Sequence, residues 1–137
     1  GILKKKLKDR DLEKLFFVDS AGTGGWHVGN LADPRMRETA LSRGIELTSR
    51  SRQIEENDLY EFDHILVMDK DNLHAVKLLT KNKSNSVKSK IKLILSYSKD
   101  SKLDEVPDPY YGGQNGFDKV LDLLDNAIDG LLDSLTD

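Results

Sequence analysis

His64-Ile-Leu-Val-Met68, followed at once by Asp69, is the stretch that decides the fold. An uninterrupted apolar run marks a strand covered on both faces, the habit of parallel sheets. Asp69 then offers a carboxylate to free helix amides, so a helix is expected from there through about Leu79. Strand followed by helix is the repeating unit of an α/β protein.

Working outward, the same unit recurs on both sides. Leu15-Phe-Phe-Val18 reads as a strand running into an Asp19-Ser-Ala-Gly22 turn, and Ile91-Lys-Leu-Ile-Leu95 as a third strand. Gly1–Leu12 reads as a short basic helix with Ile2, Leu3 and Leu7 on one side. Asp33-Pro34 starts a helix whose apolar stripe is Met36, Ala40 and Leu41, and Gly44 stops it. Asn57-Asp58 opens a shorter helical turn. Phe117, Val120, Leu121, Leu124, Ile128, Leu131, Leu132 and Leu135 keep helical spacing through the last segment. The expected fold class is α/β: a small doubly wound parallel sheet, three strands recognisable, flanked by helices on both faces. Residues 1–137 read as a single domain.

Composition narrows the function classes. A chain of 137 residues fits one domain with a real core. No apolar run approaches a membrane span and no signal peptide opens the chain, so no membrane partner and a cytoplasmic location are expected. The net charge of −3 hides an asymmetry: residues 77–102 carry eight lysines against Asp100, and residues 117–137 six aspartates against Lys119. The lysine-rich Lys81–Lys90 stretch has neither aromatics for base stacking nor arginine for base-edge contacts, so no nucleic-acid partner is expected. The helically spaced Asp118, Asp122, Asp125, Asp129 and Asp133 read as the wet face of the last helix rather than a calcium loop. Three scattered histidines and no cysteine predict no metal site and no cofactor.

Two segments carry candidate chemistry. In Val106-Pro-Asp-Pro-Tyr-Tyr-Gly-Gly113, Asp108 stands between two prolines that stiffen the backbone on both sides. A carboxyl group held there beside aromatic rings suits a general acid, partial desolvation raising its pKa. The plainer alternative is a surface turn with its tyrosines packed on the sheet. Asp19-Ser-Ala-Gly-Thr-Gly-Gly-Trp-His-Val-Gly29 follows a strand, where such sheets bind ligands, though its glycine spacing is not that of a dinucleotide loop. Trp26 is either an aromatic wall for a planar substrate or a cap on the core edge. Arg50 and Arg52 could bind an anion or serve in ion pairs.

With these motifs assembled, the chain resembles the low-molecular-weight protein-tyrosine phosphatases. The resemblance runs through the Asp19 turn, Trp26-His-Val-Gly29, Ala32-Asp-Pro-Arg35, Ser51-Arg-Gln-Ile54, Phe62–Asp69 and above all Asp108-Pro-Tyr-Tyr-Gly-Gly113. It implies phosphotyrosine proteins or small aryl phosphates as substrates. It implies Asp108 as general acid and base, Trp26, Tyr110 and Tyr111 as the walls that receive the phosphotyrosine ring, and His27 beside them as a substrate-binding residue that helps set specificity. Ser20 and Asp69 would support the phosphate-binding loop.

One departure is large. The family's nucleophile is a cysteine in a Cys-x5-Arg-Ser loop between its first strand and first helix, and this chain holds neither. Gly1-Ile-Leu3 resembles the family sequence just after that loop, so the chain reads as truncated at its N-terminus and inactive alone. In the family that strand lies inside the sheet, bringing the number of strands to four. Two other readings need no cysteine. Asp69-Lys-Asp71 resembles the start of the haloacid-dehalogenase-like phosphatases, where one aspartate attacks phosphate and the other acts as acid and base with Mg2+. There Asn72 stands where Thr or Ser is usual, and the bland reading makes Asp69 a helix cap. The last reading is a non-catalytic interaction module that uses Trp26, Tyr110 and Tyr111 as a sticky surface.

Overall fold

The computed structural model describes residues 1–24, 29–80, 87, 89–99, 102–109 and 113–136. Its elements in order are α1 (Ile2–Asp9), α2 (Pro34–Ser42), α3 (Asp58–Glu61), β1 (His64–Val67), α4 (Lys70–Leu79), β2 (Lys90–Leu93), a 3-10 turn (Ile94–Tyr97) and α5 (Gly113–Thr136). β1 and β2 pair in parallel, with Ile65 opposite Ile91 and Val67 opposite Leu93.

β1 packs on both faces, as the apolar run predicted, while on β2 Lys90 and Lys92 are exposed. Ile65, Val67, Ile91 and Leu93 pack with Leu59 of α3 and with Leu73 and Val76 of α4. Leu66 points the other way, into a cluster built from α1, α2 and α5. Successive strand residues point to opposite faces, so one short strand serves two cores. Within the larger cluster Ala127, Leu131 and Leu132 are almost wholly buried, together with Ile94 and Leu95.

The caps follow the expected chemistry. Asp33 accepts from the Arg35 amide at 2.8 Å at the start of α2, with Pro34 in its first turn. Gly44, at φ +77°, takes the left-handed conformation that ends the segment after α2.

Four expectations need correction. Leu15–Val18 is not a strand: the described residues give it no ladder partner. It keeps a strand's alternation, with Leu15 74% and Phe17 81% exposed while Phe16 and Val18 pack against the core. A strand is defined by its neighbour, and β1 has only β2 beside it among the described residues. The strand expected to reach Leu95 ends at Leu93, because Ile94 and Leu95 turn over the sheet end to bury against α5. Leu41, expected on the core stripe of α2, is 63% exposed, and Thr39 and Ala40 are buried instead.

The acidic face of α5 is the fourth correction. It is not merely wet: it is the seam along which α1 and Arg43 dock. Lys6 pairs with Asp125 and Asp129, each at 3.0 Å, and Arg10 with Asp129 and Asp133 at 3.1 and 3.3 Å. Arg43 reaches Asp118 and Asp122 at 2.9 and 2.7 Å. Burial pulls the Lys6 pKa down, yet its hydrogen bonds to Asp125 and Asp129 outweigh that and leave it raised.

Candidate active site

The loop that carries Asp108 is anchored at three places. Val106 donates its backbone N–H to the Met68 carbonyl at 2.8 Å, immediately past the end of β1. The Lys70 amide, in the first turn of α4, donates to Glu105 Oε1 at 2.8 Å. Pro109 lies so close over Gly116 of α5 that a Cβ there would sit 2.5 Å from the Pro109 carbonyl oxygen. These contacts put Asp108 beyond the carboxyl end of β1, where sheets of this type bind ligands. Asp108 is exposed rather than partly desolvated. Tyr110 and Tyr111, the rings expected to flank it, lie outside the described residues, as do Trp26 and His27.

Asp69 stands at the same end of the sheet. Its Oδ1 accepts the Asn72 amide at 2.8 Å, capping α4. That is the plain reading of Asp69-Lys-Asp71, with one carboxylate oxygen spent on the helix. Its second oxygen makes no hydrogen bond among the described residues. No group of three or more acidic or histidine side chains suited to a metal occurs among the described residues.

Ser20 lies on the turn past Val18 and is exposed. Its amide donates to Asp19 Oδ1 at 2.8 Å. The turn is pinned from the other side by two backbone bonds, Gly22 N–H to the Arg52 carbonyl and Ile54 N–H to the Gly22 carbonyl, both 2.8 Å. Ser20, Ala21 and Gly22 line a groove of about 930 Å³ with Gly1, Ser49 and Arg50. Arg50 donates to the Gly29 carbonyl at 2.9 Å.

Sequence reasoning missed the residue behind this turn. Asp58, expected only to open a helical turn, is buried and takes both arms of Arg52, at 2.9 and 3.1 Å, as well as the Glu55 amide at 2.8 Å. The Arg52 hydrogen bond holds the Asp58 pKa below its ordinary value although burial pushes it up. Arg52 Nε also reaches Asp19 Oδ2 at 3.0 Å. The ion-paired alternative is therefore the one Arg52 adopts. The signal lay in Ser51-Arg-Gln-Ile54 together with Asp58, which local spacing could not connect.

A parallel sheet packed against helices, with an acidic loop anchored past the carboxyl end of β1, is the layout of an α/β enzyme. Comparison with known proteins narrows the class. The sequence model described as low molecular weight phosphotyrosine protein phosphatase matches residues 1–137, and the chain belongs to that family. It is 38% identical over 136 residues to the low molecular weight protein-tyrosine-phosphatase YfkJ of Bacillus subtilis, covering 98% of this chain and 84% of that protein. A crystal structure of a protein tyrosine phosphatase from Entamoeba histolytica superposes with a TM-score of 0.90 at 36% identity, over 98% of this chain and 85% of that one. The structure titled DARP, drosophila arginine phosphatase, superposes with a TM-score of 0.91 at 28% identity, over all of this chain and 87% of its own. Members of this family are hydrolases. No helix among the described residues is long and apolar enough to cross a membrane.

Proposed function

We propose that the chain is the body of a protein-tyrosine phosphatase that hydrolyses aryl phosphates through a cysteinyl-phosphate intermediate, with Asp108 as general acid and base. The observation that carries this is the Asp108 loop, anchored past the end of β1 in a chain matched along its whole length by the family. In the first step a thiolate attacks phosphorus and the phosphorus–oxygen bond to the aryl group breaks. Asp108 gives its proton to the departing phenolate oxygen. In the second step the Asp108 carboxylate takes a proton from water as the water oxygen attacks phosphorus. The sulfur–phosphorus bond breaks and phosphate leaves. Neither step needs a metal.

The roles of the remaining residues follow from the resemblance. Trp26, Tyr110 and Tyr111 wall the cleft and receive the phosphotyrosine ring, and His27 beside them helps set specificity. Ser20 and the second oxygen of Asp69 hold the phosphate-binding loop. The chain contains no cysteine, so the reading assigns the thiolate and the phosphate-binding arginine to a strand and loop outside these 137 residues. Three features of the structure support that assignment: β1 has a neighbour on one edge alone among the described residues, Leu15 and Phe17 are exposed, and Ser20 faces an open groove.

The test is Asp108→Ala in a cysteine-containing form of the protein. Turnover of aryl phosphate should fall by about 10²–10⁴-fold while inhibition by inorganic phosphate changes less than about twofold. Phosphoarginine, run in parallel, separates the substrate of the Drosophila relative from the aryl one. Unchanged turnover removes Asp108 from the chemistry.

A further inference from the structure

Arg52 joins two carboxylates that belong to different parts of the fold. Toward the core, its two terminal nitrogens grip Asp58, which is 7% exposed and closes the start of α3. The Ser89 hydroxyl, next to β2, lies within hydrogen-bond distance of the carbonyls of Asp58, Leu59 and Phe62 around α3. Toward the surface, Arg52 Nε grips Asp19, whose other oxygen takes the Ser20 amide. A single planar guanidinium therefore ties the Ser20 turn to the sheet's supporting layer. A pair this close to the core adds little net stability relative to an apolar pair, because desolvation offsets its attraction. Its strength is geometric: the fork fixes both partners in one plane.

We propose that Arg52 is a positioning residue of the phosphatase site, holding the Asp19-Ser20 turn so that the Ser20 hydroxyl faces the phosphate-binding loop. This rests on the function proposed above, and the test separates the two. Arg52→Lys keeps the charge, but one ammonium cannot grip Asp58 with two arms and still reach Asp19. Asp19→Asn leaves the Arg52–Asp58 pair whole and weakens only the outer arm, so it decides the matter should Arg52→Lys fail to fold.

The first measurement is amide hydrogen exchange in the labelled 137-residue chain. Gly22 and Ile54, whose backbone bonds hold the turn, should exchange at least about fivefold faster in the variants, with Leu131 and Leu132 unchanged. Unchanged exchange at Gly22 and Ile54 overturns the proposal. The second is kinetics in the cysteine-containing phosphatase. Arg52→Lys should lower kcat about tenfold with KM within about twofold, and adding Ser20→Ala should cost nothing more. A kinetically silent Arg52→Lys, or losses that simply add, also overturns it. If every form, including the natural one, lacks turnover, the phosphatase reading fails and the exchange measurement alone decides the positioning claim.

Discussion

Gly130 sets two effects against each other within one substitution. It lies inside α5, where alanine in place of glycine should add about 1 kcal/mol through helix propensity. Yet a Cβ at this position runs into the Tyr97 carbonyl oxygen and lies 3.0 Å from its carbonyl carbon. The obstacle is backbone, so no side-chain rotation relieves it. Either α5 or the Ile94–Tyr97 turn must move, and their contact includes Ala127, Leu131, Ile94 and Leu95, none more than 4% exposed. Overpacking in such a core costs roughly 1–3 kcal/mol, and a clash this deep belongs at the top of that range. Subtracting the propensity gain leaves Gly130→Ala destabilised by about 2 kcal/mol. For a chain of this size that is a fall in Tm of about 6–8 °C. Thermal unfolding followed by far-UV circular dichroism measures it directly. A Tm that stays level or rises would mean that propensity alone governs the site, and that the last helix does not lie against Tyr97 as described.

Two further outcomes follow from the ion pairs. Asp58 titrates below its ordinary value in the folded chain, so its contribution is present above the ordinary carboxylate range and lost as pH falls through the lowered value. Asp58→Asn should therefore cost about 2 kcal/mol in urea unfolding at pH 7, discounted from a fully buried pair because Arg52 is partly exposed. The difference from the natural chain should shrink below about pH 4; a gap of constant size would refute the linkage. Asp129→Asn, which removes one of the two carboxylate partners of both Lys6 and Arg10, should lower Tm by about 2–4 °C in dilute buffer and by less than half that in molar salt. An equal fall at both salt levels would point to packing rather than charge.

How much of this was legible beforehand depends on the range of the force involved. The His64–Val67 strand, the Asp69 and Asp33 caps and the long α5 stripe are local patterns, and each appears where the residues place it. Leu15–Val18 carries a strand's alternation but no ladder, because pairing depends on a neighbour that local sequence does not encode. The aspartates of α5 have the right spacing for a solvent face. Their partners Arg10 and Arg43 lie more than seventy residues away, so their role as a docking seam emerges only in three dimensions. The Arg52–Asp58–Asp19 junction stayed hidden for the same reason. Asp108 was singled out by its flanking prolines and the motif after it, and the structure adds the three anchors that fix its loop.

The central claim is that this fold holds the acid of a thiolate phosphatase whose nucleophile lies outside these residues. The direct measurement is aryl-phosphate turnover by the 137-residue chain, alone and with a strand and Cys-x5-Arg-Ser loop of the family's pattern joined ahead of Gly1. The account predicts no turnover by the chain alone, with or without Mg2+, and turnover by the joined form that thiol alkylation abolishes. Comparable turnover by the cysteine-free chain, or a joined form indifferent to alkylation, would contradict it.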